Sequence, residues 1–317
     1  MRIIVVGAGS IGNRHHRNLL SLGVQSTLCP YREFASLKAA KRFQAGGYDA
    51  MVIATATQVR TELIEICAQL GMPFYVEKPL AYDPGTLAKI MAIAKPVAER
   101  SMVGFMMRYH PAFRALAQMD LSDIYSFSFL VGHDVRQWRP NWSFSKSYAS
   151  RADGGGVLLD LCHELDMAKT LFPQLAVTGT SSLGHADFPG VDFASRVVLA
   201  GDPSVTGVTG VAEMDYLSPV SLRRVLLRGL DKVVRFDFIA GDYVVDDGHS
   251  RNRLSLAHDR NDMFLAALRD FVALVAGAAT SDVEHLPRLD MAEPSCAAIA
   301  TAWGARKFEG TVKREFK

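Results

Sequence analysis

Ile3-Ile4-Val5-Val6-Gly7-Ala8-Gly9-Ser10-Ile11-Gly12 stands at the start of the chain and decides how its first third is read. The first four residues are a short β-branched run, the mark of a buried strand. Three glycines follow in the pattern G-x-G-x-x-G. Residues 13–22 then have helical character, and Gly23 is a natural helix stop. Strand, glycine turn and helix in this order suit a dinucleotide. Gly7 makes the tight turn, Gly9 lets backbone approach a pyrophosphate, and Gly12 lets helix pack on strand. The helix amino terminus offers N–H groups and the positive end of its dipole to the phosphates. Gly7, Ala8, Gly9, Ser10, Ile11 and Gly12 are therefore cofactor-binding candidates. The glycine spacing alone is a weak signal; the flanking strand and helix give it weight. Arg14, His15, His16 and Arg17 are expected mostly on a solvated face of that helix.

Working outward, residues 24–28 read as a second strand, followed by Cys29-Pro30-Tyr31-Arg32-Glu33. In NAD sites an acid at this strand end bonds the ribose 2′-hydroxyl. None stands directly there, and Arg32 lies just beyond, where a guanidinium can accept a 2′-phosphate. This favours NADP modestly over NAD, with Glu33 as the alternative ribose partner. Residues 48–55 form the next expected strand, ending in the small residues Ala54 and Thr55 where a cofactor can pass. Residues 60–70 read as a helix. Phe74-Tyr75-Val76-Glu77-Lys78-Pro79 is a short apolar strand stopped by a proline that can donate no ladder hydrogen bond. Lys78 is left at the strand's carboxyl end, the side on which ligands bind in open α/β sheets. A helix over 83–94 and a strand over 101–105 complete an alternation that argues a parallel, doubly wound sheet.

Bulk properties narrow the function classes. The 317 residues suffice for more than one domain, and the apolar (49%) and charged (21%) fractions are those of a soluble globular protein. A formal net charge of +2, with scattered Arg and Lys, argues against nucleic acid or an anionic membrane as partner. Cys29, Cys67, Cys162 and Cys296 have no metal-ligand or redox spacing, so no metal site is expected and reduced thiols in a cytoplasmic protein are. The apolar start breaks at Gly7, too early for a signal peptide. The best membrane-span candidate, over 263–279, carries Arg269 and Asp270.

Beyond about Leu116 the pattern changes. Residues 124–131 have strand character. The loop-like stretch 132–151 is rich in aromatics and cations, including His133, Arg136, Trp138, Arg139, Trp142, Tyr148 and Arg151. Such groups suit a polar ligand such as a sugar bearing a carboxylate or phosphate, and equally a loop packed on its own body. Gly154-Gly155-Gly156 then opens an apolar helix running through Asp160, His163 and Asp166. On one helix Asp160 and His163 would have Cβ atoms about 5–6 Å apart, and an acid beside a histidine can orient a general base. Glu164 or Asp166 could serve His163 equally well. Residues 191–245 read as successive strands; Val234, Phe236 and Phe238 alternate with Arg235 and Asp237, as in an antiparallel sheet with one buried face. Helices are expected over 262–276 and 294–303.

Gly7–Gly12, Ile53-Ala54-Thr55, Glu77-Lys78-Pro79 and Gly104-Phe105-Met106-Met107-Arg108-Tyr109-His110-Pro111, in this order and spacing, resemble the glucose-fructose oxidoreductase / inositol dehydrogenase (Gfo/Idh/MocA) family. The resemblance implies a Rossmann domain over 1–118 and an α+β domain with an open, mostly antiparallel sheet over 119–317, its terminal helices packing back towards the first. It implies a homodimer or homotetramer. It also implies an aspartate and histidine after the glycine-rich turn, usually four apart and here three. That shorter spacing is shared with a branch reading Gly-Gly-Gly-Val-Leu-Leu-Asp-Leu-x-His-Glu-Leu-Asp, linked to acidic-sugar or sugar-nucleotide pathways and carrying a Trp-Arg-Pro like Trp138-Arg139-Pro140. The expected function is NAD(P)-dependent hydride transfer on a carbohydrate-like alcohol or ketone. Lys78, His163 and Asp160 are the catalytic candidates. Arg32, Ala54, Thr55, Glu77 and Lys78 join the glycine turn at the cofactor, and Arg108, Trp138, Arg139 and His163 hold the substrate. The alternatives are an NAD(P)-binding regulator without turnover and a redox-neutral, NAD-assisted glycoside cleavage.

Overall fold

The computed structural model describes residues 1–39, 43, 47–137, 143–204, 207–256, 258–281 and 284–313. Its elements run β1 (Arg2–Val6), α1 (Ser10–Ser21), β2 (Gln25–Cys29), α2 (Tyr31–Ala39), β3 (Ala50–Ile53), α3 (Arg60–Gln69), β4 (Phe74–Val76), α4 (Pro84–Ala94), β5 (Met102–Val103), α5 (Pro111–Ala117) and β6 (Ile124–Gly132). There follow α6 (Val157–Asp160), α7 (His163–Leu171), β7 (Ala176–His185), β8 (Ala194–Ala200), β9 (Thr209–Asp215), β10 (Leu222–Gly229), β11 (Val233–Asp237), β12 (Asp242–Asp246), β13 (Arg251–Ser255), α8 (Arg260–Ala276), α9 (Leu289–Gly304) and β14 (Arg306–Val312). The chain divides into two compact units. One comprises Met1–Tyr109 with Asp259–Glu293, the other His110–His258 with Pro294–Lys317.

The first unit holds a five-stranded parallel sheet in the order β2-β1-β3-β4-β5. Ile3–Val6, Ala50–Ile53 and Phe74–Val76 are without solvent exposure, as strands covered on both faces must be, which is why they read as unbroken apolar runs. The chain order reverses between β1 and β3, the switch point outside which ligands bind in such sheets. Register lines up what lies there: Val6 pairs with Ile53, and Ile53 with Val76. Gly7, Ala54 and Glu77, each one residue further on, therefore stand side by side at the carboxyl edge. The ladder's last bonds run from Ala54 N to Val6 O (2.9 Å) and from Glu77 N to Ile53 O (3.0 Å). Helix ends are set locally. Asp83 caps α4 by accepting from Thr86 N at 2.7 Å, with Pro84 at the first helical position. Gly277, at φ +68°, ends α8.

The second unit is built on a nine-stranded sheet ordered β13-β12-β11-β10-β6-β9-β8-β7-β14. Neighbours are antiparallel except β6 with β9 and β7 with β14. Alternate residues of β8, β9 and β11 are buried, so one face packs and the other is open. Val234 and Phe236 point inward and Arg235 outward, as the alternation predicts, while Phe238 falls in the turn just past β11 and is only half-buried. Helix α7 lies on β6 and β9, and Phe127 stacks flat on Phe172 with ring centres 4.7 Å apart. A Rossmann-like sheet and a mostly antiparallel open sheet are thus both present, as expected. No helix among the described residues is long and apolar enough to cross a membrane.

Candidate active site

The glycine turn is shaped by two different demands. Gly7 has φ +112°, and a Cβ there would run into the carbonyl of Ala54. A Cβ on Gly12 would strike the Gly7 carbonyl. The protein itself thus requires both glycines. Gly9 is different: a Cβ there would meet nothing within 4 Å. Gly9 stands at the N-cap of helix α1, which has no side-chain cap and no acid in its first turn, so its positive end is left for an anion. Asn13 Nδ2 locks the turn by donating to the carbonyls of Ala8 (2.7 Å) and Gly9 (3.0 Å). Just past β3, the Thr55 hydroxyl is buried and has no hydrogen-bond partner among the described residues. Such an orphan costs about 1–3 kcal/mol unless something bonds it. The open space at Gly9, the uncapped helix and the orphaned hydroxyl together fit a dinucleotide. Arg32 and Glu33 are both exposed in the first turn of α2.

At the end of β4, Glu77 is buried and its Oε1 lies 2.7 Å from His15 Nε2. His15 is 0% exposed and is held edge-on to the rings of Tyr75 (5.1 Å) and Phe264 (5.8 Å). This corrects the expectation of a mostly solvated run at 14–17. Helical period puts His15 on the inward face with Gly12, Asn18 and Leu19, while Arg17 is exposed and His16 bonds Ser26. Burial pushes the Glu77 carboxyl up. The His15 hydrogen bond, with the charges of His15, Lys78 and Arg60, outweighs it and holds Glu77 below the usual range. Lys78 is half-buried, and the Lys78–Pro79 peptide is cis. The guanidinium of buried Arg60 donates to the carbonyls of Pro79 and, at 2.9 Å, Thr55. Arg108 is buried, its guanidinium 5.5 Å over the Phe105 ring and 3.4 Å from the His285 carbonyl.

In the second unit the glycine-rich turn is anchored by Asp192. Its carbonyl accepts from Val157 N at 3.0 Å, and its Oδ2 accepts from Leu158 N and Ser195 Oγ, both at 2.9 Å. Arg306 pairs with Oδ1. The cap of α6 thus comes from far along the chain, because Gly156, at φ +92°, has no side chain to supply one. Helix α6 ends at Asp160, Leu161 and Cys162 form a turn, and α7 begins at His163. The single helix expected here is therefore two, and the separation calculated for Asp160 and His163 on one helix does not apply. No Gly or Pro marks the break; tertiary bonds hold it. Asp160 Oδ1 accepts from Tyr148 at 2.6 Å, and Oδ2 from Tyr216 at 2.8 Å. Tyr216 OH also lies 3.2 Å from the Gly156 carbonyl. Burial, then the Asp160 charge, pushes the Tyr216 hydroxyl well up. Tyr148 is 53% exposed. His133 is pushed down by burial, against the upward pull of Asp160 and Asp215. Glu164, next to buried His163, takes a two-point bond from Arg223 at 2.7 and 3.2 Å. Trp138 and Arg139, with Pro140 and Trp142, lie outside the described residues.

No family model matches the sequence. It is 28% identical over 206 residues to a scyllo-inositol 2-dehydrogenase (NAD(+)) of Bacillus subtilis, 58% of this chain and 57% of that protein. It is 31% identical over 189 residues to myo-inositol dehydrogenase Hyg17 of Streptomyces leeuwenhoekii, 54% of this chain and 55% of that protein. The chain is similar to inositol dehydrogenases of the Gfo/Idh/MocA family. The match spans little over half the length of these relatives. The fold is shared more widely. KijD10, a 3-ketoreductase from Actinomadura kijaniata solved with NADP and TDP-benzene, superposes with a TM-score of 0.76 over 98% of this chain and 99% of its own, at 18% identity.

Proposed function

We propose that this chain is an NAD(P)-dependent oxidoreductase acting on a carbohydrate-like alcohol or its ketone: a sugar, an acidic sugar or a sugar nucleotide. One observation carries the reading. Lys78 stands two residues past β4, next to Glu77, which lies in the same edge row as a glycine turn that fits a dinucleotide. The names of the relatives support it, as inositol dehydrogenases in sequence and a 3-ketoreductase in fold.

Gly7–Gly12 would receive the pyrophosphate, with Ala54 and Thr55 along the cofactor's path. Glu77 would fix the backbone beside it through His15. Arg32, exposed beyond β2, would meet a 2′-phosphate, which favours NADP over NAD. When bound, the nicotinamide gives or takes the hydride. Lys78 would donate a hydrogen bond to the reacting oxygen and offset its developing charge. His163 would take or return the hydroxyl proton, worth about 10²–10⁴ in rate when well placed. Asp160, bonded by the hydroxyls of Tyr148 and Tyr216, would orient His163 or bond a neighbouring hydroxyl. Arg108, Trp138 and Arg139 are proposed to hold the substrate. The chain is proposed to work as a homodimer or homotetramer, which light scattering would read.

The test is absorbance at 340 nm with NADPH and with NADH, across inositols, sugars, acidic sugars and sugar nucleotides. Turnover in wild type and its loss in Lys78→Ala are expected. A Lys78→Ala protein with the full rate would overturn the mechanism. Tight dinucleotide binding without turnover on the panel would favour a regulatory protein instead.

A further inference from the structure

Arg60 is a cation only 4% exposed, at the first position of α3. Two of its bonds run to main-chain carbonyls: those of Thr55, two residues past β3, and Pro79, three residues past β4. These carbonyls belong to two chains that leave the sheet side by side, since Ile53 pairs with Val76. The last ladder bond between them is Glu77 N to Ile53 O, at 3.0 Å. Beyond it the guanidinium bridges the two chains as one further rung. Its planar fork has donors in fixed directions, so two carbonyls on its two terminal nitrogens are held at a set separation.

Lys78 therefore sits between two anchored neighbours. Glu77 is tied through its carboxylate to His15 of α1. Pro79 is tied through its carbonyl to Arg60. The same Arg60 fixes Thr55, whose hydroxyl is buried and has no hydrogen-bond partner among the described residues.

We propose that Arg60 is a positioning residue that couples the Thr55 end of β3 to Lys78, so that dinucleotide binding at one and placement of the ammonium at the other are set together. This rests on the role given above to Lys78. A lysine at 60 keeps the charge but cannot span both carbonyls with a rigid plane.

The experiment uses the full chain, with NADPH and NADH as probes and amide hydrogen exchange as a readout independent of turnover. In Arg60→Lys, exchange is expected to rise in segments 55–59 and 78–82 together, with β1 and α7 unchanged. In wild type either dinucleotide should slow both segments; in Arg60→Lys it should slow only the glycine turn. Kinetically, Arg60→Lys is expected to lower kcat by up to about 10²-fold, the scale of a misplacement near 1 Å. The double variant Arg60→Lys/Lys78→Ala should be no slower than Lys78→Ala, because Arg60 acts through Lys78. Additive losses in the double variant, or exchange rising in one segment or neither, would overturn the proposal. The two readings fail separately. Wild type without turnover on any panel member sinks hydride transfer, and the exchange result still decides the coupling. Should Arg60→Lys not fold, Arg60→Gln, which keeps one donor nitrogen in place of two and no charge, supplies the same comparison.

Discussion

Replacing Gly9 by alanine separates what the fold needs from what a ligand needs. Gly9 has φ −73° and ψ −176°, a conformation open to any residue, and its Cβ would meet no atom within 4 Å. Removing a glycine's freedom in the unfolded chain favours the folded state by about 0.4–1 kcal/mol. Against this, alanine is a poorer helix N-cap, which costs on the order of 0.5–1 kcal/mol. The two nearly cancel, so Gly9→Ala should unfold in urea within about 1 kcal/mol of wild type. Gly7→Ala is the contrast. Its φ of +112° is one that side chains rarely adopt, and its Cβ would enter the Ala54 carbonyl. Backbone strain of about 1–3 kcal/mol adds to overpacking of about 1–3 kcal/mol. Dinucleotide binding should run the other way for Gly9→Ala: a methyl in the space left for a pyrophosphate should weaken NADPH binding by about tenfold or more, on the order of 1.4 kcal/mol. The assays are urea unfolding followed by circular dichroism and NADPH titration by calorimetry. A Gly9→Ala protein that binds NADPH as wild type does would refute the assignment of that space to the cofactor. One that unfolds as readily as Gly7→Ala would refute the reading of Gly9 as free of structural duty.

Other outcomes follow from the buried charges. His15→Ala should destabilise by about 3–5 kcal/mol, the cost of leaving a buried carboxylate without its partner, and adding Glu77→Gln should recover part of that loss in the same urea assay; no recovery would mean that the ring's packing, and not its charge partner, carries the effect. Because Glu77 is held below its ordinary value in the folded state, its contribution is present above the unfolded carboxylate value and is lost as pH falls through the depressed folded one. Stability of wild type relative to Glu77→Gln should shrink below about pH 4.3. His110 is held down to about 4 by burial, His258 and Arg223. The unfolded state therefore binds more protons between that value and about 6.5, and stability should rise with pH across this window. His110 also caps α5, its Nδ1 accepting from Ala112 N at 3.1 Å; His110→Asn, which can still cap that helix, should flatten that slope in unfolding measured from pH 4 to 7. Arg32→Ala should raise the KM for NADPH about tenfold with little change for NADH, the scale of one charge-assisted bond; equal effects on both would remove the 2′-phosphate assignment.

Much of the first unit was legible locally. β1, the glycine turn and the short strand before Lys78 each announce themselves within about ten residues, because side-chain period, glycine geometry and the proline stop are properties of a short window. His15 shows where this ends. Its inward face could be read from its spacing to Gly12 and Leu19, yet a histidine followed by two more polar residues looks like solvated surface until the acid that receives it is known. That acid is 62 residues away.

The second unit depended more on distant partners. Tyr148 stood out among the loop aromatics, but nothing near Tyr216 marks it as a donor to Asp160, 56 residues earlier. The turn between α6 and α7 has no Gly or Pro of its own; it accompanies a cap from Asp192, 34 residues on from Leu158, and the two tyrosine bonds. The sequence by itself determined the alternation of strands and helices, the glycine turn and the position of Lys78, since period, sterics and missing donors act between near neighbours. Only the tertiary structure decided which buried polar groups meet. A buried acid must find a donor wherever the fold brings one, and no local pattern records that distance.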